Sequence, residues 1–209
     1  MPKTAPFEEH TERYEGWFDE HEDVYQSELD ALRRLVPTSG YGIEIGVGSA
    51  RFASPLGIET GIDPSGEMLG YARERGIEVV KGVAEWLPFR DDTFDTALVV
   101  TTICFVDDIP RTLAEAERTL KPDGALVIGY IDKDSPVGQM YQETKAQNPF
   151  YREATFVSTE SLLEALEAAG FTDFEFVQTV FRWLDDIDGP EPIEEGYGEG
   201  SFVGIKATR

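Results

Sequence analysis

A single cysteine, Cys104, stands in this chain of 209 residues, so no internal disulfide can form, and a cytoplasmic location is expected. Histidine is nearly as scarce. His10 and His21 lie in an acidic N-terminal segment without the H-x-x-H or C-x-x-C spacing of zinc sites, and both read as solvated helix residues. No apolar run reaches about 18 residues, so no membrane span is indicated, and the opening MPKTAPFEEH lacks the apolar core of a secretory signal. Positive charge is also in short supply: 18 Lys and Arg against 41 Asp and Glu leave a formal charge of −23 at pH 7. Such a surface repels phosphate backbones, so no nucleic-acid partner is expected. The acid excess reads either as an adaptation to high salt or as an ordinary solvated surface.

What the chain does contain is organised around Tyr41 to Asp63, YGIEIGVGSARFASPLGIETGID, which reads as strand, glycine turn, short helix, second strand and terminal acid. Tyr41 to Ile45 is apolar apart from Glu44, as a buried parallel strand requires, and Gly46 and Gly48 allow a tight backbone turn beside a ligand. Asp63 sits about where the acid of a nucleotide-binding βαβ unit meets ribose hydroxyls. Two ligand classes use this layout. A dinucleotide fingerprint needs a third glycine at position 51, which is Arg, and this counts against a nicotinamide dehydrogenase. The other pattern is Glu44-x-Gly46-x-Gly48-x-Ala50. It resembles the first motif of the class I S-adenosylmethionine-dependent methyltransferases, with Ala50 in place of the usual third glycine.

The resemblance continues in register. Gly82-Val83-Ala84-Glu85-Trp86-Leu87-Pro88-Phe89, followed by Phe94-Asp95, is similar to the G-D-A-E-x-L-P-F and F-D motifs of the small-molecule enzymes of this family, with Val83 replacing an adenine-reading Asp. Leu120-Lys121-Pro122-Asp123-Gly124 resembles their turn into strand five. The resemblance implies a Rossmann-like, seven-stranded, mostly parallel sheet with helices on both faces and the last strand antiparallel, in one domain over residues 1–209. It implies S-adenosylmethionine as cofactor and a small-molecule acceptor. Glu44 would orient the methionine amine, with Gly46 and Gly48 admitting the backbone beside it and Asp63 accepting from both ribose hydroxyls. Pro64 and Ala84 would flank the adenine, with Glu85 near its edge and Thr101 at the amino-acid end. A module that binds the donor or S-adenosylhomocysteine without turnover is the alternative.

Around this frame, residues 6–36 carry an apolar stripe at helical spacing, with a break expected near Gly16. Its Tyr14, Trp17 and Phe18 either pack on the sheet or form part of a lid over donor and acceptor, and residues 1–37 are assigned to that lid. Thr96 to Thr102 reads as a central strand. Cys104 at its end is expected to pack rather than act as a nucleophile. Ser65, Asp107 or Asp108, and Ser158 or Thr159 are placed to cap helices. Residues 132–157 form an irregular, aromatic-bearing insertion on the substrate side. Within it Asp132 is a candidate to orient an acceptor, although an acid after a strand more often caps a turn. No residue is singled out as a catalytic base, since methyl transfer from a sulfonium needs none for many acceptors.

Overall fold

The apolar run Ala97-Leu98-Val99-Val100 needs cover on both faces, and the fold supplies it from two sides. In the computed structural model, which describes residues 3–209, this run is the core of strand β4 (Phe94–Val100), between β1 (Gly42–Ile45) and β5 (Leu120–Ile131). Alternate residues serve opposite layers. Leu98 and Val100 join one core with Leu32, Ala53, Leu69 and Val127, whereas Ala97 and Val99 join the other with Leu113, Leu126, Leu162 and Ile205.

The remaining strands are β2 (Thr60–Asp63), β3 (Glu78–Lys81), β6 (Thr172–Thr179), β7 (Glu194–Glu195) and β8 (Phe202–Thr208), in the spatial order β3-β2-β1-β4-β5-β8-β6-β7. The first five of that order are parallel, and β8 lies antiparallel between β5 and β6. This is the expected Rossmann-like sheet with one correction, eight strands rather than seven. The acidic loop after β6 folds back so that Glu194 and Glu195 pair with Gln178 and Val177 at the edge. The chain reverses direction across the sheet between β1 and β4, and that switch point opens a crevice at the strand carboxyl ends.

Helices α1 (Ala5–Glu9), α2 (Thr11–Glu20) and α3 (Glu22–Leu35) replace the single interrupted N-terminal helix. The breaks fall at His10 and His21, which leave helical backbone (φ −127°, ψ 31° and φ −121°, ψ 46°), and Gly16 stays inside α2. Two hinges let α1 and α2 turn over the strand ends while α3 packs on β5, β6 and β8. The other helices are α4 (Ala53–Leu56), α5 (Gly66–Glu74), α6 (Ile109–Thr119), α7 (Pro136–Thr144) and α8 (Thr159–Ala168). Ser65 caps α5 by accepting from the Met68 N–H, Asp108 caps α6 from Arg111, and Ser158 shares a capping box with Ser161 on α8. The insertion 132–157 is more regular than expected, since α7 and a 3-10 turn (Lys145–Gln147) occupy much of it. Strand β4 stops at Val100 rather than Thr102, because Thr101 takes a left-handed backbone (φ 48°) that ends the ladder.

Candidate functional site

The glycine turn after β1 is held from three sides. The N–H groups of Gly46 and Val47 donate to the Ile62 carbonyl at 2.8 and 3.0 Å, which ties the turn to β2. Thr102 Oγ1 donates to the Gly46 carbonyl at 3.1 Å from the end of β4. Asp63 closes the third side. Its Oδ2 accepts from the Gly48 N–H at 2.9 Å and its Oδ1 from the Ser65 N–H at 2.8 Å, leaving one lone pair on each oxygen for hydroxyl donors. Gly46, Gly48 and Ala50 all take left-handed backbone (φ 74°, 51° and 64°). A β-carbon on Gly46 would overlap the Thr102 side chain, whereas one on Gly48 would face open space with the Tyr14 hydroxyl 3.7 Å away.

These groups line a cavity of about 550 Å³, within the roughly 300–1,000 Å³ typical of small-molecule sites. Of the residues read from the sequence, Gly46, Gly48, Asp63, Pro64, Ala84, Glu85, Thr101 and Tyr14 stand on its wall. Four others do not. Glu44 lies behind the glycine turn, 2% exposed, with Oε2 buried and without a hydrogen-bond partner. Burial pushes its carboxyl well above the usual carboxylate range, with the Ala53 N–H opposing and Asp63 adding to the shift. Phe18 is a core residue, edge-on to Tyr14, Tyr25 and Phe52, and Trp17 stacks on His21 at 4.9 Å. Asp132 is engaged within the fold. Its oxygens accept from the Asp134 N–H at 2.7 Å, the Thr159 N–H at 2.8 Å and the Thr159 hydroxyl at 2.5 Å, so it closes a turn and anchors the start of α8.

Burial raises the Asp63 carboxyl, partly offset by the Ser65 and Gly48 N–H groups. Tyr14 is pushed above the ordinary phenol range by burial and then by Glu44 and Asp63, so its hydroxyl stays protonated and able to donate. Burial pushes the Cys104 thiol up to about 12, which keeps it a neutral packing group. Glu85 reaches the cavity wall, but its Oε1 accepts from the Asp107 and Asp108 N–H groups at 2.7 and 3.3 Å. Val83 brings no side-chain acceptor to the same wall. At the other end, Phe7 packs against Phe105, Phe150 and Tyr14 at centroid distances of 5.2, 5.4 and 5.8 Å, which makes an aromatic roof from α1, α2 and the insertion.

Two further participants come from the stretch Thr101 to Val106 after β4, where open α/β sheets hold their ligands, and sequence reasoning missed a third, Glu15. Thr102 fills the space beside Gly46, and Phe105 joins the roof. Glu15 on α2 bridges Arg51 and Arg75 at 2.9 and 2.5 Å. Arg51, met first as a break in a glycine pattern, is therefore a latch between the N-terminal helices and the glycine turn.

A buried carboxyl oxygen without a partner, a glycine whose missing side chain opens the cavity, and an acid with free lone pairs beside them suit a nucleoside carrying an amino-acid tail. The comparisons agree with that chemistry. Residues 43–128 match the family described as a methyltransferase domain. An uncharacterised protein of Methanocaldococcus jannaschii is 44% identical over 203 residues, 97% of this chain and 98% of that one. The uncharacterised methyltransferase YcgJ of Bacillus subtilis is 30% identical over 215 residues, covering 94% of this chain and 80% of its own. A Thermotoga maritima crystal structure described as an SAM-dependent methyltransferase, possible histamine N-methyltransferase, superposes with a TM-score of 0.96 at 48% identity, over 98% of this chain and 99% of that one. Fold, glycine turn and relatives together place this chain in the class I S-adenosylmethionine-dependent methyltransferases, with S-adenosylmethionine as its cofactor.

Proposed function

We propose that this chain transfers the methyl group of S-adenosylmethionine to a small-molecule acceptor, within a single domain whose N-terminal helices act as the lid. The observation that carries this reading is the aromatic roof. A cavity walled by the glycine turn and Asp63 at one end and closed by Phe7, Tyr14 and Phe105 at the other leaves room for a small acceptor but not for a folded macromolecule. The acidic surface argues against a nucleic-acid acceptor, and among the described residues no helix is long and apolar enough to cross a membrane. A cytoplasmic setting is part of the proposal.

In this reading Asp63 holds the ribose hydroxyls through the lone pairs its two N–H partners leave free. Gly48 admits the amino-acid tail against the backbone, and Glu44 draws the amine from behind the turn. Pro64 and Ala84 sandwich the adenine, Glu85 stiffens the adjoining loop, and Thr101 meets the amino-acid end. The bound donor supplies a methyl group on a cationic sulfur, which departs as a neutral thioether. What the protein adds is positioning, worth roughly 7–11 kcal/mol in favourable cases, and exclusion of water. The rings of Tyr14, Phe7 and Phe105 line the cavity and would favour a cationic centre there. The test is calorimetric titration with S-adenosylmethionine and S-adenosylhomocysteine, followed by product analysis with acceptors that include the amine named for the Thermotoga relative. Micromolar binding of both nucleosides with methylation of any small acceptor supports the proposal. Binding without turnover across the panel turns it toward a donor-sensing module.

A further inference from the structure

Tyr14 brings a hydroxyl to the cavity from outside the sheet. It stands on α2, one residue before the Glu15 that ties this helix to Arg51 and Arg75, and its oxygen lies 3.7 Å from where a β-carbon on Gly48 would stand. The ring packs edge-on against Phe7, Phe18 and Phe150 at centroid distances of 5.8, 5.2 and 6.0 Å, so its direction is fixed. Among the described residues no hydrogen bond reaches the hydroxyl or leaves it. A fixed donor on a cavity wall, with no acceptor in the protein, is available to a ligand.

The charges around the hydroxyl decide what kind of ligand atom it meets. The strongest that act on Tyr14 are all acids, Glu44 and Asp63 before Glu15 and Glu28, and with burial they keep the phenol protonated at pH 7. It can donate a hydrogen bond but carries no charge of its own. The cations of the wall are engaged. Lys3 pairs with Asp107 at 3.7 Å, while Arg111 pairs with Glu115 at 3.5 Å, donates from Nε to the Glu85 carbonyl at 3.2 Å and lies 4.2 Å over the Trp86 ring. Arg51 and Arg75, which adjoin the glycine turn, are held by Glu15 and stand outside the cavity wall. A ligand that carries both an ammonium and a carboxylate to the glycine turn thus finds acids for the first. For the second it finds, among the described residues, no unpaired cation on the wall.

We propose that the Tyr14 hydroxyl donates to the tail carboxylate of S-adenosylmethionine and so fastens α2 over the donor. The inference rests on the methyltransferase reading, in which Gly48 admits the amino-acid tail, and adds to it the residue that reads the end of that tail. Gly48 leaves open the space facing the hydroxyl, and a carboxylate oxygen there is within hydrogen-bond reach. A neutral donor suits this place better than a lysine or arginine. A cation beside Glu44 and Asp63 would pair with them and take the position that the ammonium of the tail needs. The hydroxyl binds the carboxylate without that competition, as a charge-assisted hydrogen bond. A nucleoside that lacks the carboxylate leaves Tyr14 without its partner.

The experiment is calorimetric titration of wild type and Tyr14→Phe with three nucleosides. They are S-adenosylhomocysteine, its decarboxylated analogue, which keeps the amine, and 5′-methylthioadenosine, which has neither group. Tyr14→Phe keeps the ring and its aromatic neighbours, so it removes the hydroxyl alone. S-adenosylhomocysteine should bind the variant about tenfold or more weakly, as loss of a hydrogen bond to a charged group implies, while the other two change by no more than about twofold. The deciding quantity is the loss for S-adenosylhomocysteine divided by the loss for its decarboxylated analogue. A ratio of about five or more supports the inference, and a smaller one overturns it. Equal losses for all three would put the hydroxyl on the ribose, and no loss for any would reduce it to packing. If Tyr14→Phe does not fold, wild type decides alone: a preference of about fivefold for S-adenosylhomocysteine over the decarboxylated analogue upholds the inference and a smaller one overturns it. Failure of wild type to bind any of the three would instead strike the methyltransferase reading itself.

Discussion

Asp63 does two things with one carboxylate: it holds the Gly48 and Ser65 N–H groups and leaves lone pairs for a ligand. Asp63→Ala should therefore weaken S-adenosylhomocysteine binding by about 100-fold or more and also lower thermal stability, by roughly 1.5–3 kcal/mol, since two charge-assisted bonds disappear. An unchanged affinity would remove Asp63 from the site. Gly46→Val tests a different cause. The added side chain meets Thr102, not open cavity, and must also adopt φ 74°, so the variant should lose roughly 2–4 kcal/mol of stability even without ligand. Glu28 has a pH signature. Its carboxyl titrates near the ordinary 4.5 when unfolded and is pushed up to about 8 by burial when folded, so between those values the native state carries a proton the unfolded chain has lost. Its contribution is fully present below about pH 4.5 and is lost as pH rises through 8. Glu28→Gln should flatten that part of the profile and melt roughly 4–10 °C above wild type at pH 8. Glu44 and Asp63, raised in the same direction, leave a residual slope.

Among the elements, α2 is tied to the glycine turn and to α5 through one residue, Glu15. Glu15 accepts from Arg51 beside the glycine turn and from Arg75 at the end of α5, and Arg75 also donates to the Ser49 carbonyl at 2.7 Å. Burial raises the Glu15 carboxyl, but hydrogen bonding and attraction from Arg75 and attraction from Arg51 outweigh it and hold the group below its ordinary value. Glu15→Gln should speed S-adenosylhomocysteine release several-fold, measured by stopped-flow fluorescence, while the sheet core stays intact. An unchanged off-rate would reduce α2 to packing. The start of α8 provides the contrast. Asp132 anchors Thr159 by two hydrogen bonds, so Asp132→Ala should lower the melting temperature without changing S-adenosylhomocysteine affinity, which separates a scaffold acid from a site acid.

For the molecule as a whole, the net charge of −23 sets the dominant condition dependence. Most of its ion pairs are at least partly exposed on one side, and exposed pairs contribute little each, so like-charge repulsion is not cancelled locally. Raising NaCl from about 0.05 M to about 1 M shortens the Debye length from tens of ångströms toward about 3 Å, and the melting temperature should rise with it. A flat or falling profile would mean that the paired arginines, Arg118 and Arg209 among them, already balance the field. The two-sided core built on β4 is indifferent to salt and carries most of the burial.

Local chemistry by itself determined much of this protein. The strand from Gly42, the glycine turn, Asp63 at the end of the neighbouring strand, and the caps at Ser65, Asp108 and Ser158 each depend on residues a few positions apart, so each is legible in the linear sequence. Tertiary structure decided the rest. The Glu15 latch and the capture of Asp132 by α8 join residues from 27 to 60 positions apart. Such pairings are set by how helices cross a twisted sheet, and no local propensity encodes that crossing.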